Sequence, residues 1–225
     1  MIGLFFDTET NGIKTWDNPN FKLRVVQIGA ILQDVTTGRV LGEINLIVHQ
    51  GDYQVPEGAS RVHGISTELA NQVGVPKDLA DAAFASFLKR ADFIAAHNIQ
   101  YDIDVVNDDL QRSAELIGSK PQFCTMQGSL YLVKAPLSDR QKAYFTSKGK
   151  MPEAPYKVPN LTETYKHFFG VPFEGAHDAM ADIRACRDVY QELIKGEWWL
   201  PGEANTHQPS EKLKQEMESA SNGQK

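Results

Sequence analysis

The sequence predicts an α/β fold, a mixed β-sheet covered by helices, and three observations carry that reading. Residues 2–7 form a short apolar run with the length and continuity of a buried strand. Two β-rich runs, residues 24–34 and 40–49, are joined by Thr36-Thr37-Gly38-Arg39 and read as an antiparallel hairpin. After them, segments of helical spacing alternate with short apolar runs, as strands alternate with helices in mixed sheets. This order places the first strand centrally in the sheet.

Each element has its own justification. The first run ends in polar residues, and Asn11-Gly12 is a turn signal. Residues 14–23 are polar and irregular, and residues 50–66, with Gly51, Pro56, Gly58 and Gly64, read as a loop. Residues 78–90 carry Leu79, Ala82, Ala83 and Phe87 at helical spacing, with basic residues in the last turn. Phe93-Ile94-Ala95-Ala96 reads as a strand and 101–117 as helical. Gln122–Thr125 reads as a brief strand leading into a helix to about Val133, and 160–169 and 178–195 as further helices. Residues 134–157 differ, with six basic residues against two acids, three prolines and Gly149. They are expected to form a long loop or a loosely helical insertion, and long loops are often functional. From Pro201 the chain turns polar, too poor in apolar residues to bury. The expected organisation is therefore one domain over residues 1–200, with a basic insertion at 134–157, and a polar, disordered tail at 201–225.

Composition narrows the classes. A chain of 225 residues, 41% apolar and 23% charged, affords a sizeable core and excludes a wholly disordered or fibrous protein. No apolar run approaches the ~18 residues that cross a bilayer, so no membrane association is expected. Met1–Phe6 lacks a basic region and a cleavage site, so no signal peptide is read there. Cys124 and Cys186 form no CxxC pair, which excludes a disulfide scaffold and a thiolate zinc site and suits a reducing cytoplasm. The net charge of −6 argues against generic phosphate binding, yet it permits a local carboxylate cluster that holds cations. There is no phosphate loop, GxGxxG, HExxH or GxSxG motif.

Three segments carry acids where chemistry could use them. Asp7 and Glu9, two apart on a strand, project to one face. In a buried place they repel unless a cation lies between them. His97 and Asn98 lie at a strand-to-helix turn, with Asp102 in an early turn where the helix dipole favours negative charge. His177 precedes a helix beginning near Asp178, with Asp182 about one turn in. Taken singly, each has an ordinary structural role, and Asp104, Asp108 and Asp109 read as a solvated helix face. Taken together, Asp7, Glu9, Asp102 and Asp182 supply the hard oxygen ligands of a site for two divalent ions roughly 3.5–4 Å apart. An imidazole alongside can take a proton from water.

The ordered set of motifs resembles the DnaQ-like (DEDDh) 3′–5′ exonucleases. It comprises Asp7-Thr8-Glu9-Thr10-Asn11-Gly12, then Val62-His63-Gly64-Ile65, then His97-Asn98-x-x-Tyr101-Asp102, then His177-x-x-x-x-Asp182. The resemblance runs from about residue 2 to 195. It implies a ribonuclease H-like mixed five-stranded sheet with helices on both faces, two Mg²⁺ or Mn²⁺ ions, and release of nucleoside 5′-monophosphates from a 3′ end. By position, Asp7, Glu9, Asp102 and Asp182 match the metal-binding carboxylates and His177 the general base. Thr10 matches a contact to the terminal nucleotide, Ile13 an apolar wedge beside the last bases, and His63 a position near the sugar and phosphate. His97 and Asn98 match residues that support the Asp102 helix, and Asn98 is counted with the substrate-binding set. Asn11 replaces a common threonine and Tyr101 a common phenylalanine, and neither change removes a ligand.

The function expected is metal-dependent 3′–5′ hydrolysis of single-stranded or frayed DNA. The alternative is the same chemistry on RNA, and a third reading is a non-catalytic nucleic-acid-binding factor on this fold. The third should have lost metal ligands, and all four acids are present. The aromatic and basic residues of 134–157 are candidates for extra strand contacts. No polymerase domain shares the sequence, so a proofreading role needs a separate polymerase or other replication or repair protein. The expected setting is the cytoplasm of a bacterial or bacteriophage-infected cell.

Overall fold

The computed structural model describes residues 1–15, 18–149 and 155–222. Five strands form one mixed sheet: β1 (Ile2–Thr10), β2 (Val25–Asp34), β3 (Arg39–Ile47), β4 (Phe93–Ala96) and β5 (Gln122–Cys124), in the order β3-β2-β1-β4-β5. The β1–β2 and β2–β3 pairs are antiparallel, and the β1–β4 and β4–β5 pairs are parallel. The central position expected for the first strand is observed.

Alternation along β1 sorts the two layers. Leu4 and Phe6 face one core, shared with Phe84 and Leu88 of α3 (Lys77–Leu88), Val105 and Val106 of α4 (Ile99–Asp109) and Ile117 of α5 (Gln111–Ile117). Phe5 faces the other core, shared with Ile183, Val189, Tyr190 and Leu193 of α9 (Ala179–Lys195). Each phenylalanine is fully buried, worth about 1.5–3 kcal/mol over exposure. The odd-numbered residues of β1 therefore face α9, and this sets where Asp7 and Glu9 point.

Several expectations change in detail. The loop expected at 50–66 contains α1 (Glu57–His63), which ends at Gly64 in the left-handed conformation, and α2 (Thr67–Val73) follows. The helical stretch expected at 101–117 is two helices, because Leu110 (φ −117°, ψ 95°) breaks the run. Asp108 and Asp109 are not a solvated face: their carboxylates accept the Leu23 and Val25 amides at the start of β2, and they pair with Lys14 and Lys77. Helix α6 (Thr125–Val133) follows β5, and α8 (Leu161–Phe169) packs on α9.

In 134–157 the described residues include α7 (Asp139–Lys148), closed by a Ser138–Gln141 capping box and by Gly149 at φ 58°. Part of that segment, residues 150–154, lies outside the described residues. The tail read as disordered at 201–225 is ordered through Asn222, and this corrects that expectation. Strands β6 (Trp199–Pro201) and β7 (His207–Pro209) form a hairpin, and α10 (Glu211–Asn222) follows. Few apolar residues suffice because they dock on an aromatic surface that already exists. The His207 ring stands 4.8 Å from Phe93 and 4.7 Å from Phe123, Trp199 donates to the Gly128 carbonyl, and Leu213 is buried. The Ser210 hydroxyl accepts the Leu213 amide, an N-cap.

Candidate active site

The site is built where β1 outruns its parallel neighbour. β4 pairs only with Gly3–Phe5 of β1, and the chain then turns into α4. On the flank beyond, Asp102 takes the place of a strand partner: its Oδ1 accepts the Thr8 amide at 3.0 Å and the Thr8 hydroxyl at 2.7 Å. Thr8 thus holds Asp102, 2% exposed, beside Asp7 and Glu9.

Asp182 arrives from the other side, in the first turn of α9. That helix can approach because Asp7 pairs in register with Gly29. A Cβ at Gly29 would lie 2.6 Å from Ile183 Cδ1 and 3.3 Å from Ala179 Cβ. The Asp178 side chain caps the helix through the Ala181 amide at 3.0 Å. Asp7, Glu9 and Asp182 each offer a carboxylate oxygen within 4.8 Å of the others.

The electrostatics are those of crowded, buried acids. Burial, then repulsion from Asp102, Glu9 and Asp182, pushes Asp7 well above the ordinary carboxylate range. Burial and Asp182 raise Glu9 to about 8. Burial raises Asp102 to about 7 against the two Thr8 hydrogen bonds. Burial raises Asp182 to about 6, opposed by the His177 amide, which donates to Oδ2 at 3.2 Å. Asp182 Oδ1 is buried with no hydrogen-bond partner among the described residues. A buried, unpartnered oxygen facing further carboxylates is costly in the bare protein and suits a hard divalent cation.

His177 is exposed, at φ 70°, on the segment between α8 and α9. His63 Nδ1 accepts the Ile65 amide at 3.1 Å, so its Nε2 carries the proton and donates to the Thr10 carbonyl at 3.2 Å. Burial lowers its pKa. The Thr10 hydroxyl meets the Tyr101 hydroxyl, which itself donates to the Gly12 carbonyl at 2.7 Å. Ile13 is 67% exposed at the end of the same segment. Asn98 is exposed, left-handed at φ 74°, and makes no side-chain cap to α4. His97 bridges Thr125 Oγ1 at 3.0 Å and the Pro159 carbonyl at 3.1 Å, and burial lowers it to about 4.

The structure gives three positions supporting roles that their sequence context does not disclose. Thr8 was visible only as part of the motif. Gly29, a lone glycine inside an apolar strand, was the available signal of close approach. Asn11 is a buried staple: its side chain bonds the Lys22 carbonyl, the Tyr53 hydroxyl and the Arg24 amide.

A carboxylate cluster on the central strand of a mixed sheet, with a further acid from the helix after β4 and one from the last large helix, is the layout of a nuclease of ribonuclease H-like fold. The exonuclease family RNase_T matches residues 4–190, and the chain belongs to that family. Among similar proteins, the DNA polymerase III subunit epsilon of Buchnera aphidicola from Acyrthosiphon pisum is 26% identical over 134 residues, 58% of this chain and 53% of that protein. Its counterpart from the Schizaphis graminum strain is 24% identical over 131 residues, 58% and 54% respectively. The chain thus spans about half the length of these curated relatives. The E. coli exonuclease I structure in complex with a dT13 oligonucleotide superposes with a TM-score of 0.62 at 21% identity, over 85% of this chain and 40% of that one. The fold is shared with it. No helix among the described residues is long and apolar enough to cross a membrane.

Proposed function

We propose that the protein is a divalent-metal-dependent 3′–5′ exonuclease acting on single-stranded or frayed DNA and releasing nucleoside 5′-monophosphates. The convergence of Asp7, Glu9 and Asp182, with Asp102 held against Thr8 at their flank and Asp182 Oδ1 buried without a partner among the described residues, carries the reading. These four would hold two Mg²⁺ or Mn²⁺ ions, which when bound neutralise the scissile phosphate, activate water and stabilise the leaving oxygen. Thr8 keeps Asp102 aimed inward. His177, free in solvent beside Asp182, accepts the proton of the attacking water. Thr10 and the backbone after it receive the terminal nucleotide, and Ile13 stands against its base. His63 supports the Thr10 carbonyl and lies toward the sugar and phosphate, while Asn98 lines the mouth at the start of α4. The names of the relatives support DNA as substrate and a separate polymerase as partner, and two free cysteines suit a cytoplasmic setting.

The test is digestion of 5′-labelled matched DNA and RNA strands with Mg²⁺ or Mn²⁺. A ladder shortening from the 3′ end, faster on DNA and absent in EDTA, is expected. RNA shortened faster than DNA would move the substrate to RNA. Intact strands in every lane, with no divalent-metal binding by calorimetry, would leave a non-catalytic factor.

A further inference from the structure

Helix α7 buries none of its side chains. Its stability is local, from the capping box at Ser138 and the left-handed Gly149, and does not come from a core. Arg140, Tyr144 and Lys148 recur every four residues and so form one stripe. All three are exposed, and Lys148 Nζ stands 6.0 Å from the Tyr144 ring centroid. The other described basic residues of this segment face carboxylates: Lys134 with Glu216, Lys142 with Asp139, and Lys157 with Glu163. Arg140 and Lys148 have no carboxylate partner among the described residues. In a chain of net charge −6, two such cations flanking an exposed aromatic ring are a distinctive surface.

The base of the insertion is tied to the catalytic edge. The Lys157 amide donates to the Ala135 carbonyl at 3.0 Å, closing the segment. Two residues on, the Pro159 carbonyl accepts from His97, which stands between β4 and the helix of Asp102.

We propose that the Arg140–Tyr144–Lys148 face of α7 is a platform for single-stranded nucleic acid, gripping the strand on the 5′ side of the end held at the carboxylates. The guanidinium and ammonium meet phosphates, and the tyrosine ring stacks on an unpaired base. As a strand contact it rests on the exonuclease reading above, which supplies the strand.

The test is the triple variant Arg140→Ala, Tyr144→Ala, Lys148→Ala. Alanine at exposed helix positions does not weaken the helix. Binding of fluorescein-labelled dT30 is read by anisotropy in EDTA, where hydrolysis does not run, and turnover of dT3 and dT30 is read with Mn²⁺. We expect dT30 affinity to fall about tenfold or more, and the slope of log affinity against log salt to shrink by about 1.4. KM for dT30 should rise, with kcat and dT3 turnover unchanged. The conservative triple variant Arg140→Lys, Tyr144→Phe, Lys148→Arg should retain binding. Unchanged dT30 affinity overturns the platform, as does an equal loss of turnover on dT3 and dT30. A wild type that elutes as a dimer and a variant that elutes as a monomer, with strand binding intact, overturns it in favour of a second copy of the chain. A wild type that cuts neither strand removes the exonuclease reading, while the anisotropy still decides the platform.

Discussion

The two walls of the carboxylate cluster are held in different ways. On the β1 side, Asp7 and Glu9 are fixed by the central strand of the sheet, and Asp102 is clamped through Thr8 inside the core. On the α9 side, Asp182 is placed by helix packing against Gly29, but His177 hangs from an exposed segment. It is tied to the cluster through its backbone amide, which donates to Asp182. Groups that must hold cations in a set geometry gain from a rigid frame. A group that must meet water and release its proton gains from access to solvent. The division predicts that the two walls fail differently when altered.

The largest effect belongs to the rigid wall. Asp7→Asn removes a central ligand and should lower turnover of a labelled strand by about a thousandfold or more, the scale of lost charge stabilisation at a metal site. The same change relieves repulsion among buried acids, so the metal-free variant should melt at a higher temperature than the metal-free parent. A variant that is both inactive and less stable would mean that Asp7 serves the fold and not a cation. On the exposed wall, His177→Gln should lower kcat by about 10²–10⁴, the range for a lost general base, with an unchanged melting curve and unchanged strand affinity. Equal kcat in the two proteins would remove His177 from the proton transfer.

This contrast also explains what was legible in the sequence. Strand and helix existence could be read from periodicity, because apolar repeats at Leu4–Phe6, at Ile28–Leu32 and along α9 are the core itself. The acids could be read as candidates because the proposed metal chemistry restricts residue type as well as spacing. Support residues were less visible. Thr8 acts through a side chain and an amide that reach Asp102, 94 residues away, and Asp108 and Asp109 look like any charged helix face until β2 is laid beside them. The order of the tail is not legible in its composition, because its burial depends on a surface made by Phe93, Phe123 and Tyr190.

Two smaller changes sharpen the division. Thr8→Val keeps the shape of the side chain and the backbone hydrogen bond but removes the 2.7 Å hydroxyl contact to Asp102. Loss of an outer partner to a metal ligand costs about 10–100-fold in metal affinity or activity. A raised Mn²⁺ requirement that saturating Mn²⁺ overcomes is therefore expected, and activity equal to the parent at limiting Mn²⁺ would show that the amide alone holds Asp102. Gly29→Val forces side-chain atoms against Ile183 and Ala179, at a cost of about 1–3 kcal/mol for overpacking. It should displace the first turn of α9, so activity should fall further than the loss of stability alone explains. Activity that tracks only the folded fraction would place Gly29 outside the site.

The mildest effect is on stability against pH. Asp182, Asp102 and Glu9 have folded-state values raised to about 6, 7 and 8 from ordinary values of 3.8, 3.8 and 4.5. A carboxyl raised in this way supports the folded state while it is protonated, and that support is lost as pH climbs through the folded value. The metal-free protein should therefore melt progressively lower between about pH 4 and pH 8. Protons and cations compete for the same oxygens, so the divalent ion should restore stability where the protons have left. At a hundredfold excess over its dissociation constant, Mg²⁺ or Mn²⁺ should raise the melting temperature by about 5–10 °C in alkaline buffer, and by much less in acid. The Thr8→Val and His177→Gln proteins then separate the walls in one measurement. Weakening Asp102 should reduce the metal-dependent rise, whereas replacing His177 should leave it intact, because the role proposed for the imidazole is with the proton and not with the cation. A loss of the rise in His177→Gln alone would place that side chain among the ligands and dissolve the distinction between the two walls.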